Sequence, residues 1–216
     1  EIKGGEDKEQ IWLFPPILGY GMIFNTLKTV PPKKTLAFNY PDAIESKAVV
    51  NSIEDLSLLL FSATNCAKKL PEKVSLLGYS MGGIVAFEVA KLLENLGIKT
   101  KLILLDKSAQ GEEVAFKTHH SLKPELRKIT KQIATDPEHE RRMETYLLKH
   151  ENMIEQYIQK GKINGGIQLI HCQNGFEMND LIAWKNFTTS NFIISSVECS
   201  HYEIPEHWNE FGLSFE

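Results

Sequence analysis

Ser80 is the residue from which a chemistry can be built. It stands in Gly78-Tyr79-Ser80-Met81-Gly82-Gly83, preceded by the strand-like Val74-Ser75-Leu76-Leu77 and followed by a helical pattern from Gly83 to Leu96. A Gly-x-Ser-x-Gly motif between a strand and a helix is the sequence form of a nucleophile elbow, with the serine on a sharp, strained turn. The glycines suit that geometry: strand and helix start crowd together beside Ser80, where a Cβ on Gly78 or Gly82 would clash. The serine would also sit at a helix N-terminus, where free N–H groups and the helix dipole favour developing negative charge. Acyl transfer through a serine ester is the chemistry this predicts.

A serine hydroxyl is a weak nucleophile; it needs a base within hydrogen-bond reach, and the base needs an orienting partner. All 7 histidines follow Ser80. His119 and His120 precede a charged segment, and His139 and His150 fall within it, where a solvated helix face accounts for them. His171 lies inside an apolar run and reads as a packed core residue. His201 stands just after the last strand-like run, where a loop can carry an imidazole over the elbow. His207, in the same loop region, is its competitor. Two acids qualify. Asp106 ends the apolar run Lys99 to Leu105 and would emerge at the same sheet edge as Ser80. Asp180, with Glu177 nearby, follows the run Ile167 to Cys172, the more usual place for the acid in the order Ser, Asp or Glu, His. Chain order leaves both open.

The elements that must position these groups alternate in type. Short apolar runs at Ile11–Pro16, Thr35–Tyr40, Lys73–Gly78, Lys99–Leu105, Ile167–Cys172 and Phe192–Cys199 predict strands. Between them, Ile53, Leu56, Leu60, Ala63 and Ala67 recur at helical spacing within Ser52–Leu70, and Gly97 closes the helix that follows the elbow. Strands alternating with helices predict a mostly parallel α/β sheet. The rhythm breaks from Leu122 to Lys160, a charged helical stretch with Met143, Leu147, Ile154 and Ile158 on one stripe. It predicts an inserted pair or trio of helices over the sheet's upper edge, a lid able to lift, spanning about residues 112–162.

A chain of 216 residues suits one domain, expected over residues 11–216 with 1–10 as a linker or disordered N-terminus. The polar start Glu-Ile-Lys-Gly-Gly reads as the cut end of a larger polypeptide or a processed terminus. A net charge of −4 argues against nucleic acid as a partner. The 3 cysteines, Cys66, Cys172 and Cys199, have no CxxC spacing, which argues against a disulfide framework or zinc site and fits a reducing, cytoplasmic setting. No apolar run approaches a membrane span.

From Ile11 to about Pro205 the chain resembles the terminal thioesterase domain of nonribosomal peptide synthetases, most of all the type that releases a surfactin-like cyclic lipopeptide. The resemblance is carried by Phe14-Pro15-Pro16-Ile17-Leu18-Gly19-Tyr20-Gly21, by the serine motif, and by Leu104-Leu105-Asp106. It implies an α/β-hydrolase fold, Asp106 as the acid, backbone N–H groups of Ile17 and Met81 as the oxyanion hole, and a helical lid between acid and histidine. It also implies a peptide or lipopeptide substrate delivered on the phosphopantetheine arm of an upstream peptidyl carrier domain, with no cofactor of the enzyme's own. Release would be by macrocyclisation or hydrolysis. One departure is that His201 is reached through Cys199-Ser200 rather than a glycine-containing turn. A stand-alone editing thioesterase, a cytosolic carboxylesterase and a non-catalytic binding protein of the same fold are the rival readings.

Overall fold

The computed structural model describes residues 8–28, 30, 33–41, 49–65, 70–109, 123–173 and 176–215. Strands β1 (Glu9–Phe14), β2 (Lys34–Ala37), β3 (Lys73–Tyr79), β4 (Lys99–Leu105), β5 (Gly166–Cys172) and β6 (Phe192–Val197) form one sheet. Its order is β2-β1-β3-β4-β5-β6, with every neighbouring pair parallel. Parallel strands need covered faces, and the inner strands alternate between two apolar cores. Trp12, Phe14, Leu76, Leu102, Leu104 and Leu169 face one core. Ile11, Leu13, Leu77, Ile103, Leu105 and Ile170 face the other.

The first core is closed by α1 (Ile53–Asn65) and α2 (Met81–Asn95), through Ile53, Leu56, Leu60, Ile84, Phe87 and Leu93. Ser52 starts α1 by accepting the Asp55 N–H at 3.0 Å. Ala63 is exposed, so the stripe inferred for this helix ends near Phe61. Cys66 and Ala67 lie outside the described residues. Gly97 ends α2 at φ 77°, with its N–H on the Glu94 carbonyl and that of Ile98 on Leu93. That bonding needs a left-handed residue, which glycine adopts without a Cβ penalty. The second core is closed by the 3-10 turn Gly21–Thr26 and the C-terminal segment, where Phe24 stacks on Trp208 at 5.5 Å between ring centroids.

Two boundaries depart from expectation. β1 begins at Glu9 and Gln10 pairs with both neighbouring strands, so the sheet starts inside the segment read as linker. β2 stops at Ala37, because the chain then turns so that Tyr40 can bind the loop after β1.

Among the described residues the inserted segment forms a helix pair, α3 (Lys123–Ile133) and α4 (Pro137–Gln156); His119 and His120 lie outside them. Asp136 caps α4 through the His139 N–H at 2.8 Å, which accounts for that half-buried histidine's position. The stripe is more deeply seated than a one-sided lid requires. Met143, Leu147, His150, Met153 and Ile154 are all buried, and Tyr157 donates to Glu88 Oε1 at 2.6 Å. Ile158, placed on that stripe by its spacing, lies beyond the helix end and is 43% exposed. The remaining short helices are α5 (Met178–Ile182) and α6 (Ile204–His207).

Candidate active site

β3 delivers Ser80 and β4 delivers Asp106 at the C-terminal ends of adjacent strands. The Ser80 N–H donates to the Leu105 carbonyl at 3.0 Å, and the Asp106 N–H to the Ile170 carbonyl at 2.7 Å. Both residues hold left-handed backbone, Ser80 at φ 55° and Asp106 at φ 47°. Such conformations cost about 1–3 kcal/mol each in non-glycine residues and persist only where the surroundings over-determine them. Both elbow glycines are needed, Gly78 for the crowding of strand and helix start read from the motif and Gly82 because the end of β1 approaches it. A Cβ on Gly78 would meet the Gly82 carbonyl oxygen at 2.3 Å, and one on Gly82 would meet the Phe14 carbonyl oxygen at 2.1 Å.

His201 opens a 3-10 turn, His201–Glu203, and its Nδ1 lies 2.6 Å from Asp106 Oδ2. The other carboxylate oxygen of Asp106, which is 1% exposed, accepts the Cys172 N–H at 3.0 Å. The turn that brings the imidazole here needs no glycine. Glu203 accepts the Ser200 N–H at 2.7 Å, and the Tyr79 hydroxyl donates to the His201 carbonyl at 2.5 Å. The Ser200 contact holds the Glu203 carboxyl below its ordinary range. Burial, aided by the nearby Asp106 carboxylate, holds the Tyr79 phenol well above its own, so Tyr79 stays a neutral donor.

The competitors stand elsewhere. His207 faces Glu210 at 3.7 Å on α6. His171 is buried and takes the Ser196 hydroxyl at 2.8 Å, as a packed core residue should. Asp180 sits in the first turn of α5, its carbonyl accepting the Ala109 N–H, while the His201 imidazole meets Asp106. Cys172 and Cys199 are free thiols with sulfurs 3.6 Å apart, packed beside Asp106.

Ser80 and His201 open into one cavity of about 150 Å³, walled by Ile17, Leu18 and Met81 below and by Leu126, Ile129 and Ile154 of the helix pair above. Ile17 and Met81, the two residues named for an oxyanion hole, thus line the same space as the serine.

Three residues of this site escape a reading by motif and spacing. Tyr79 occupies the variable position before Ser80. His150, expected on a solvated face, is instead 1% exposed, and its Nδ1 lies 2.6 Å from the Ile17 carbonyl oxygen. Its signal is present in the sequence, since position 150 falls between Leu147 and Ile154 on the apolar stripe of α4. Lys107 follows the acid, lines the cavity and is 2% exposed.

Burial pushes the Lys107 ammonium down to about 8, with Asp106 partly opposing it. A displacement of that size corresponds to about 3 kcal/mol of destabilisation at neutral pH relative to an exposed ammonium. The unfolded chain, with an ordinary lysine, binds more protons than the native state above about pH 8, so this residue makes stability rise with pH through that window. Denaturant titrations of wild type and Lys107→Met in parallel should show the variant to be the more stable protein at pH 7 and the difference narrowing as pH rises toward 10, the raised Tyr79 and Cys172 groups being common to both.

A model of the thioesterase domain family matches residues 9–211. The chain belongs to that family. Among individual proteins, it is similar to surfactin synthase subunit 3 of Bacillus subtilis strain 168, 37% identical over 105 residues, which is 47% of this chain and 7% of that protein. It is also similar to a mycosubtilin synthase polypeptide of Bacillus subtilis, 25% identical over 206 residues, 90% of this chain and again 7% of that protein. The matched region is therefore a small part of these curated relatives.

Solved structures agree in fold. The type II thioesterase BorB of the borrelidin cluster superimposes with a TM-score of 0.75 at 22% identity, covering 96% of this chain and 91% of its own. The surfactin thioesterase domain SrfTE does so with a TM-score of 0.67 at 22% identity, covering 92% and 84%. The fold is that of the α/β-hydrolases, a parallel sheet flanked by helices with a helical insertion before β5.

Proposed function

We propose that this protein is a serine thioesterase acting on acyl or peptidyl thioesters carried on the phosphopantetheine arm of a nonribosomal peptide synthetase-type carrier domain, in the cytoplasm. The observation that carries the reading is the 2.6 Å contact between Asp106 and His201 over the strained Ser80 elbow, all at one end of the sheet. His201, held in its Nδ1–H tautomer by Asp106, takes the Ser80 proton at Nε2. The Ser80 oxygen attacks the thioester carbonyl, and the N–H groups of Ile17 and Met81 receive the developing oxyanion. Collapse expels the pantetheine thiolate, which leaves with the proton held by His201. Water, or an amine or hydroxyl of the peptide itself, then cleaves the Ser80 ester by the reverse route. The carrier origin of the thioester is supported by the similarity to two peptide synthetase polypeptides, since fold alone does not fix substrate.

A second reading, removal of short acyl groups from carriers by an editing thioesterase, is favoured by one observation. The cavity of about 150 Å³ matches in size a small ring or short chain, and Leu126, Ile129 and Ile154 of the α3–α4 pair form part of its wall, so a peptide of several residues would bear on that pair. In the peptide-releasing reading that pair is a lid, which excludes water from the ester and so favours ring closure over hydrolysis. Carrier-bound butyryl and peptidyl thioesters, offered side by side with p-nitrophenyl butyrate, separate these functions. We expect thioester turnover above that of the activated ester, with product mass reporting water or ring closure. Turnover of the activated ester alone would make the protein a carboxylesterase.

A further inference from the structure

The loop after β1 carries the Ile17 N–H, and its carbonyl groups are held one by one. The Pro15 carbonyl accepts the Tyr40 hydroxyl at 2.7 Å. The Pro16 carbonyl accepts the Gly19 N–H at 2.8 Å, and the Gly19 carbonyl accepts the Tyr40 N–H at 2.9 Å. All of these come from the loop itself or from the turn that follows β2. The Ile17 carbonyl is different: its partner is His150 Nδ1 at 2.6 Å, from a residue on α4, 133 positions away in sequence. A carbonyl oxygen only accepts, so Nδ1 must carry the proton. The imidazole edge also meets the Tyr40 ring, with centroids 5.7 Å apart and planes at 90°. His150 thereby contacts both Ile17 and the tyrosine that holds Pro15 and Gly19.

We propose that His150 is a positioning residue for the oxyanion loop, so that the hole is assembled only while α4 is seated. This rests on the serine thioesterase reading above. An oxyanion donor is effective only when it is already aimed at the place where charge develops, because reorientation during the reaction forfeits the gain. Holding the carbonyl of Ile17 fixes the backbone of the residue whose own N–H would do the aiming. A leucine or alanine on this buried stripe would satisfy the packing; a histidine adds a donor, and the backbone acceptor it meets belongs to the site. Seating of the inserted helix and competence of the hole are then one event: displacement of α4 by a bulky substrate withdraws the donor, and its return completes the catalytic arrangement.

Two variants separate donation from packing. His150→Leu fills the space without a donor, and His150→Asn restores an N–H close to the position of Nδ1. With butyryl-pantetheine as substrate, His150→Leu should lower kcat about tenfold to a hundredfold while KM changes less than about twofold, since an interaction realised in the transition state is lost. His150→Asn should regain most of the rate. In the same variants, the Ile17 and Leu18 amides should exchange with deuterium faster in His150→Leu than in wild type and return toward wild type in His150→Asn. Equal losses of kcat in both variants would assign the effect to packing and overturn the proposal, as would unchanged amide exchange in His150→Leu. A wild-type protein that turns over no thioester removes the enzymatic reading instead, and the exchange result still decides whether His150 holds the loop.

Discussion

Ser80→Ala is expected to give a folded protein that forms no acyl-enzyme and turns over no thioester. The backbone bonds that shape the elbow, from the Ser80 N–H to Leu105 and from the Gly83 N–H to the Ser80 carbonyl, do not involve the side chain. Alanine and serine also carry a similar penalty at φ 55°, so the turn should survive. What is lost is the nucleophile, and a loss of about 10⁶ in kcat accompanies its removal from a triad that acts as a unit. Intact-mass measurement after exposure to a butyryl thioester gives the check. Wild type should gain one acyl mass or hydrolyse the substrate, and Ser80→Ala should do neither. An acyl adduct on Ser80→Ala would move the nucleophile to another residue and end the elbow reading.

The next largest effect is expected at the acid. Asp106→Asn should lower kcat by about 10²–10⁴ while the fold is kept, and Asp180→Asn should change it little. The two oxygens of Asp106 have different tasks, one accepting the Cys172 N–H and the other facing His201 Nδ1. An asparagine that keeps its oxygen on Cys172 turns its NH₂ toward the imidazole. That forces the proton onto Nε2, where it blocks attack by Ser80. The opposite rotamer would set two donors against each other at Cys172, inside a site that is 1% exposed. That second rotamer would keep the base but is disfavoured by the donor–donor clash, so the arrangement with Nε2 blocked prevails. If Asp180→Asn proved the more damaging change, the His201–Asp106 pair would be structural and the acid would have to be sought on α5.

Parts of this arrangement are legible in the residues because they depend on local geometry. A serine between glycines, with strand pattern before and helix pattern after, admits few backbone paths, and the clash of a Gly78 Cβ with the Gly82 carbonyl shows why; the clash at Gly82 is with Phe14 of β1, a neighbour that only the fold supplies. The parallel sheet is legible because strands covered on both faces read as near-continuous apolar runs. His201 is separable from His207 by its place after the last strand. Asp106 and Asp180 cannot be ranked by spacing, because both follow strands that end at the same edge. The resemblance to a family favours Asp106, and in the fold the contact to the His201 loop is made across the sheet by Asp106.

His150 marks where local reading ends. The period of α4 puts that position on the buried face, but a period does not say what lies opposite. A histidine there is costly against hydrocarbon and satisfied against a carbonyl, and the carbonyl belongs to a loop 133 residues earlier in the chain. Tyr79 is the same case, its hydroxyl reaching a carbonyl 122 residues later. Local spacing determined the elbow and the succession of strands and helices. Which polar groups meet across the ends of those strands was decided by the packing of α4 and the His201 turn onto the sheet, because a hydrogen bond depends on where its two atoms are brought in space and not on how far apart they lie in sequence.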